Sequence, residues 1–468
     1  MIEYSRIKKI HFVGIGGSGM SGIAEVLHNM GFEISGSDVA ENYSVNRLRS
    51  LGVTIYLGHG RDQVKNVETL VYSSAITRDN IEVQAALERK IPVISRAEML
   101  SELMRMKFSI AIAGTHGKTT TTSMISTILS TADKDPTFVV GGKLKIEESG
   151  AKLGKSTYLI AEADESDGSF LKLFPTIAVI TNIEDDHIDY YKTMDNLKNA
   201  FIEFCNKVPF YGSVIVNSNC ENSRIIIPAL NKRVITYGTE GEPFVKADRV
   251  RHSIFQASYD LILGGRQHGQ VILNVGGFHN VMNSLAAITA AYEIGLGIPI
   301  IKEGLRRFFL PERRFQVLFF NQTNLVVDDY AHHPTEITAT IETLKTGGFK
   351  RLIVVFQPHR FTRLKLLADK FSGAFSGADQ LIITKLYAAG QKKIENVNSQ
   401  LLVEKIRESG SGDVLYLESF DEISAYLKKE FKKGDAIAFL SAGDLTELAH
   451  QFGKWLEATG KPAGEEKT

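Results

Sequence analysis

Apolar positions along the chain fall into short runs of strand length, separated by longer stretches with helical spacing. In the first third, Lys9–Val13, Phe32–Ser35, Val53–Leu57, Thr69–Ser73 and Pro92–Ile94 predict strands, and Met20–Asn29, Val45–Leu51 and Ile81–Glu88 predict helices. Such alternation predicts a parallel sheet with crossover helices. A second unit begins at Phe108. Its predicted strands are Ser109–Ala113, Tyr158–Ala161, Ile177–Thr181 and Ser213–Val216, with a helix over Ser123–Leu129, a β-rich stretch over Pro243–Asn274 and a strong helix at Asn280–Ile294. In the last third, strands Leu325–Val327, Leu352–Phe356, Gln380–Thr384, Val414–Leu417 and Ala436–Phe439 alternate with helices Thr335–Leu344, Leu364–Phe375, Gln400–Glu408, Glu422–Phe431 and Leu445–Thr459. The tail Gly460–Thr468 has a disordered composition.

Composition narrows the picture without redirecting it. The chain of 468 residues suits about three domains at ~150 residues each. Net charge is zero, so no global field attracts nucleic acid or an anionic membrane, and any anion must be held by local sites. Cys205 and Cys220 lack metal-ligand spacing and argue against a disulfide framework. With no apolar run of ~18 residues and no signal-peptide core at the N-terminus, a cytoplasmic protein is expected.

The richest stretch is Gly114-Thr115-His116-Gly117-Lys118-Thr119-Thr120, between a strand and a helix. The backbone N–H groups of such a turn converge on an anion, and the helix dipole adds positive potential. Lys118 would reach terminal phosphates and the Thr119 hydroxyl would hold Mg²⁺. Ile112 stands where the general P-loop pattern has its first glycine, so the loop is a shorter form. A second glycine turn, Gly14-Ile15-Gly16-Gly17-Ser18-Gly19, also lies between strand and helix, and Asp38 ends the next strand. This is a dinucleotide fingerprint, with the acid placed for a ribose hydroxyl; NAD and a UDP-sugar put similar charge on such a loop.

Further polar clusters follow other strands. Glu162-Ala163-Asp164-Glu165-Ser166-Asp167 and Glu184-Asp185-Asp186-His187 are placed for Mg²⁺ beside a triphosphate. Asp328-Asp329-Tyr330-Ala331-His332-His333-Pro334-Thr335-Glu336 and Gln357-Pro358-His359-Arg360-Phe361-Thr362-Arg363 bring His and Arg suited to carboxylate and phosphate contacts. Zinc at His332-His333 is not expected, because adjacent histidines point apart and no third ligand lies nearby.

With these motifs assembled, the chain resembles the Mur ligase family over about residues 8–458. The motifs that carry the resemblance are His11–Gly22, Ala113–Thr121, Ala161–Asp167, Asp328–Ile337 and Gln357–Arg363, and within the family they favour the alanine-adding branch. The resemblance implies three α/β domains: a Rossmann-like UDP-binding domain at 1–107, a P-loop ATPase-type domain with a smaller β-rich part at 108–311, and a Rossmann-like closing domain at 312–468. It implies ATP-dependent joining of L-alanine to UDP-N-acetylmuramate through an acyl phosphate, with Mg²⁺. Gly14, Gly16, Gly17, Ser18, Gly19, Met20 and Asp38 would then serve the UDP moiety. The turn Gly114–Thr120, Asn280, Arg314 and Asp329 would serve ATP. Lys118, Glu162 and His187 would be catalytic, with Thr119, Glu162 and His187 holding metal. Tyr330, His332, Arg360 and Arg363 would lie on the amino-acid and substrate-carboxylate side. Many relatives use a carbamylated lysine; Lys192 and Lys198 qualify only by position, and the modification is not expected. The rival readings are a ligase for recycled murein tripeptide, an NAD-dependent oxidoreductase and a non-catalytic nucleotide switch.

Overall fold

Residues 7–140, 151–408 and 413–459 are described by this computed structural model. The first six residues and the tail Gly460–Thr468 lie outside the described residues. The described residues form three sheets, one after another along the chain.

The first sheet has the order β3-β2-β1-β4-β5, from Lys9–Val13 (β1), Glu33–Asp38 (β2), Thr54–Leu57 (β3), Thr69–Tyr72 (β4) and Val93–Ser95 (β5). All its pairings are parallel. Strand order reverses between β1 and β4, the place where α/β sheets open a crevice for a ligand. The turn Gly14–Gly17 leads from β1 into a helix, Ser18–Asn29, at that crevice.

The central sheet has ten strands in the order β15-β14-β13-β12-β11-β10-β6-β9-β7-β8. They are Phe108–Ala113 (β6), Thr137–Val139 (β7), Ala151–Lys152 (β8), Tyr158–Glu162 (β9), Ile177–Ile180 (β10), Ser213–Asn217 (β11), Val234–Gly238 (β12), Val245–His252 (β13), Ala257–Leu263 (β14) and Arg266–Leu273 (β15). The predicted β-rich stretch, expected as a smaller part of this domain, continues its sheet. β13 pairs parallel with β12, and the two following strands extend the same sheet as an antiparallel meander. Alternate residues of β14, Ala257, Tyr259, Leu261 and Leu263, are buried in one core with Val281, Leu285 and Ile288 of the helix Phe278–Glu293. β6 is buried on both faces, with Ile110 and Ile112 in one core and Ala111 and Ala113 in another. That explains its continuous apolar run.

The third sheet has the order β16-β17-β21-β18-β19-β20, from Gln316–Phe320 (β16), Leu325–Asp329 (β17), Arg351–Phe356 (β18), Gln380–Ile383 (β19), Asp413–Tyr416 (β20) and Asp435–Leu440 (β21). Only β16 runs antiparallel, at one edge.

Several elements lie outside the predicted set. The helix Arg96–Arg105 starts on a capping box, Ser95 with Glu98, and buries Met99, Leu100, Leu103 and Met104. These join Ile23 and Leu27 of the first domain and Phe170 of the second in one core, which welds the two domains together. Helices Met194–Asn206 and Ile298–Arg306 are the other long additions.

Candidate active site

The carboxyl ends of β6, β9 and β10 converge, so the loops that follow them share one edge of the sheet. The turn after β6 bends through Gly114 (φ +133°) and Gly117 (φ +81°). A methyl group on Gly114 would collide with the Thr181 hydroxyl, and one on Gly117 with the Asn283 side chain. Close approach as well as backbone conformation therefore demands glycine at both. The turn is pinned from β10. Thr115 N donates to Asn182 O (3.1 Å), His116 N to Asn182 Oδ1 (2.8 Å), and the Thr181 hydroxyl to His116 O (2.6 Å).

Lys118 opens the helix Lys118–Thr131 and points back into this turn. Its ammonium donates to Glu165 Oε1 and Oε2 (2.8 and 3.0 Å), Gly114 O (2.5 Å) and Thr115 O (3.2 Å). Burial disfavours that charge, but Glu165, Asp164 and Glu162 outweigh it and raise the lysine's pKa. Burial also pushes the Glu165 carboxyl up, against the pull of Lys118, so the lysine is the firmer charge of the pair. Glu162 ends β9 beside Ile112 of β6. His187 sits in the left-handed region (φ +60°) at the start of a short helix, Ile188–Tyr191. Its Nε2 lies 3.5 Å from Asp186 Oδ2 and 3.9 Å from Glu165 Oε1.

Lys118, Thr119, Glu162 and His187 border a cavity of about 590 Å³, whose far wall includes Arg360 and Arg363 of the third domain. Tyr330 and His332 border the same cavity. The Tyr330 ring lies between the Arg313 and Arg314 guanidiniums, each 5.0 Å from its centroid. His332 Nδ1 meets Tyr330 O at 2.8 Å, and burial lowers that ring's pKa to about 3, leaving it neutral. His359, in the same cavity, is likewise lowered to about 3 by burial and by Arg363 and Arg360. Arg360 has φ +68° at the entry to the helix Phe361–Ala374. Arg363 is paired with Asp186 across the domain boundary, with Nη2 3.0 Å from Oδ2. Burial disfavours the Asp186 carboxylate, yet Arg363 and His187 hold it well below the usual range.

A second cavity, of about 830 Å³, lies on the other side of the turn and takes in Gly117, Thr120, Asn280, Asn283, Arg314 and Asp329. His116, Gly117, Arg314 and Glu336 border both cavities. Asp329 is nearly buried and accepts from the Thr340 hydroxyl (2.8 Å); burial raises its pKa to about 6.

In the first domain, Gly14 takes φ +78°, and Gly16 N donates to Asp38 Oδ2 at 2.8 Å. Asp38 thus braces the glycine turn from below. Gly17 caps the helix Ser18–Asn29, and Met20 packs in the core with its N–H on Gly17 O (3.0 Å). Gly19 faces Arg96, whose guanidinium borders the 590 Å³ cavity. Arg96, Glu165, Asp186, His359 and Asn283 are thus at the site without having been singled out individually. All but Arg96 and Asn283 stand inside motifs already quoted.

One spatial cluster corrects the statement that no third ligand lies near the adjacent histidines. Donor atoms of His116, Glu184 and His333 all lie within 4.8 Å of one another, so His333 does have further metal-capable groups nearby, from distant parts of the chain. Their hydrogen bonds are those of an ion-pair knot. His116 Nδ1 is 3.0 Å from Glu336 Oε1 and its Nε2 3.4 Å from Glu184 Oε2, while the Thr335 hydroxyl donates to Glu184 (2.5 Å). Burial opposes the imidazolium, but Glu336 and Glu184 outweigh it and raise its pKa to about 10. Glu184, despite burial, is lowered to about 2 by His116.

The sign of the pH effect follows. His116 contributes stability that is complete below its ordinary pKa of 6.5 and is lost as pH rises through about 10. Glu184 contributes above 4.5, and its share is lost as pH falls through about 2. His116→Gln is therefore expected to destabilise most near pH 6, with the deficit shrinking toward pH 10. Urea unfolding at a series of pH values measures this, and a deficit independent of pH would refute the charge assignment.

A Gly-Lys-Thr cradle facing acids and a histidine in one domain, and arginines in the next, is an arrangement for bringing a triphosphate to a second anion. The match to known proteins covers all three domains. Residues 9–108 match the Mur ligase family, catalytic domain; 112–291 the Mur ligase middle domain; and 313–443 the Mur ligase, glutamate ligase domain. A UDP-N-acetylmuramate–L-alanine ligase of Geotalea uraniireducens is 49% identical over 445 residues, 95% of this chain and 97% of that one. The chain belongs to the Mur ligase family. Among solved members, the UDP-N-acetylmuramate-alanine ligase of Thermotoga maritima superposes with a TM-score of 0.80 at 26% identity, covering 96% of this chain and 99% of that one. A murein peptide ligase of Psychrobacter arcticus shares the Mur ligase fold with a TM-score of 0.69 at 24% identity, covering 97% and 99%. No helix among the described residues is long and apolar enough to cross a membrane. Neither lysine considered for carbamylation is drawn into the site's hydrogen bonds: Lys192 Nζ donates to Asp189 O (2.5 Å), and Lys198 pairs with Asp195 (2.8 Å).

Proposed function

We propose that the protein is an ATP-dependent amide-forming ligase that joins L-alanine to the lactyl carboxylate of UDP-N-acetylmuramate, a step of peptidoglycan precursor synthesis. The observation that carries this reading is end-to-end identity of 44–49% with relatives that bear that activity in their names. A carboxylate oxygen of the UDP-sugar attacks the γ-phosphorus of ATP, and ADP leaves. The alanine nitrogen then attacks the acyl-phosphate carbonyl, gives up a proton, and phosphate leaves.

Two anions must meet in the first step, and cations lower that barrier. Lys118 is placed for the β and γ phosphates once it exchanges Glu165 for them. Thr119, Glu162 and His187 border the same cavity; the hydroxyl and carboxylate oxygens fit Mg²⁺, which would supply charge neutralisation there, and the His187 imidazole would be an unusual ligand beside them. The 830 Å³ cavity, with Asn280, Arg314 and Asp329, suits the rest of ATP. Arg360, His332 and Tyr330 face the acceptor side. His332 and His359 stay neutral, and with pKa values lowered to about 3 both are weak bases, so they line the acceptor side without adding charge to it. The Gly14–Gly19 turn suits the pyrophosphate of the UDP-sugar. A cytoplasmic setting, where ATP and nucleotide sugars are made, fits two unpaired cysteines.

Purified protein with ATP, UDP-N-acetylmuramate and each of L-alanine, glycine, L-serine and murein tripeptide tests the reading by phosphate release and product mass. An amide product with the tripeptide alone would favour the recycling ligase. A Val side chain at Gly16 or Gly19 should weaken the UDP-sugar by at least ~10-fold, about 1.4 kcal/mol, while sparing ATP. The added Cβ at Gly16 would come within 2.8–2.9 Å of Asn42, Val45 and Asp38, and at Gly19 would meet Arg96. Calorimetric titration decides it; equal loss for both ligands would point to general damage.

A further inference from the structure

Three consecutive acids after β10 each grip the third domain. Glu184 accepts from the Thr335 hydroxyl (2.5 Å), Asp185 from Lys370 (2.6 Å) and Asp186 from Arg363. Of the three, Asp186 alone also touches a residue assigned to catalysis. Its Oδ1 accepts from His187 N (2.9 Å), and its Oδ2 lies 3.5 Å from His187 Nε2. The same two oxygens take Arg363 Nη2 at 3.3 and 3.0 Å and Nε at 3.4 Å, and Arg363 Nη1 meets His359 Nδ1 at 3.1 Å. Both side chains of the pair are nearly inaccessible, 6% and 9% exposed. One carboxylate therefore joins the phosphoryl-transfer side of the cavity, at His187, to the acceptor side, at Arg363, across the boundary between two domains.

We propose that Asp186 is a positioning residue for both chemical steps, fixing His187 and Arg363 in one geometry only when the third domain is docked. This rests on the ligase reading above. Arg363 donates to Asp186 through Nε and Nη2 and to His359 through Nη1, so the carboxylate sets the plane of the guanidinium. His187, held at φ +60°, is anchored by its own N–H to the same group. An amide in place of the carboxylate would present an NH₂ to one or other set of donors and release one of the two partners.

The test compares Asp186→Asn with Asp185→Asn, which breaks the neighbouring interdomain ion pair but touches neither His187 nor Arg363. Asp186→Asn is expected to lower kcat on the order of 10–100-fold, as when the partner that orients a functional histidine is lost. The KM for ATP and the Kd for UDP-N-acetylmuramate should stay within about 2-fold, and trapped acyl phosphate and amide should fall together. Asp185→Asn, which removes only the exposed pair with Lys370, should lose less kcat than Asp186→Asn and show no coupling to Arg363→Gln. In a double-mutant cycle with Arg363→Gln, the losses should be strongly non-additive. Should the asparagine variant not fold, Asp186→Glu keeps the charge but moves it by one methylene, and it too should lose kcat. Full kcat in either Asp186 variant, a change confined to KM, or additive losses in the cycle would overturn the proposal. Wild-type protein that makes no amide from L-alanine would instead condemn the ligase reading, so the two failures are distinct.

Discussion

Lys118→Ala is expected to lower turnover at least ~10²-fold, the scale of losing one transition-state stabiliser, while leaving UDP-sugar binding intact. The lysine sits at the start of a helix, inside a turn fixed by Thr181 and Asn182, and its ammonium is paired with Glu165 of the β9 loop. The turn proposed for the UDP-sugar lies in another domain, at Gly14–Gly19, so ground-state binding there should not depend on this charge. A second consequence concerns stability. Glu165 is 2% exposed and its carboxylate is paired with Lys118, so the alanine variant leaves a buried acid without its cation. Lys118→Ala should therefore unfold at lower temperature than wild type, and adding Glu165→Gln should recover part of the stability without recovering any turnover. Phosphate release at a near-normal rate from the single variant would defeat the catalytic assignment. Recovery of turnover in the double variant would mean that Glu165, not Lys118, limits the reaction.

How far the fold was legible in the sequence depends on whether its signal is local. The strand β6, its glycine turn and the helix Lys118–Thr131 were legible because a doubly buried strand is a continuous apolar run and the turn chemistry follows at once. The helix Arg96–Arg105 was missed although its capping box, Ser95 and Glu98, stands in the sequence; it begins directly after a strand, with no polar break to announce it. β16 was missed because an exposed antiparallel edge strand with Val317 and Phe320 facing outward carries no clean alternation. The β-rich stretch was recognised as strands but not as the continuation of the central sheet, since the β12–β13 pairing that joins it is not written in either strand alone.

The same division holds for the site. Residues that terminate strands, Glu162 and Asp329 among them, were visible as polar groups ending apolar runs. Their partners were not. Asp186 and Arg363 are 177 positions apart, and His116 and Glu336 are 220 apart, so each pair exists only through the docking of two domains. Asp38 shows the converse: the fingerprint places an acid for a ribose, and the fold uses one of its oxygens to hold Gly16 N. The groups near His333 were unseen for the same reason as the rest of the ion-pair knot, because His116 and Glu184 arrive from the middle domain.

His187→Asn should lower kcat more than it weakens ATP binding, whereas Glu162→Ala should damage both. Asparagine is the informative replacement because His187 has φ +60°, which asparagine tolerates better than most side chains, so loss of the imidazole is separated from backbone strain. Glu162 extends from β9 directly beside β6, on the strand that frames the phosphate turn. Its loss removes an oxygen donor from the cavity proposed to hold the triphosphate in the ground state as well as during transfer. His187 stands farther along the acid chain, with Glu165 at 3.9 Å on one side and Asp186 at 3.5 Å on the other. Under the proposed reading it stands where the acceptor carboxylate would meet the γ-phosphate, and charge there matters most as the phosphoryl group moves. An interaction made only in the transition state lowers kcat and kcat/KM together and leaves ground-state affinity alone. Acyl-phosphate trapping locates the step: the asparagine variant should fail before that intermediate forms. If it accumulates acyl phosphate and stalls at amine attack, His187 belongs to the amino-acid step, and the chain from Glu165 through His187 to Asp186 and Arg363 serves the second half-reaction alone.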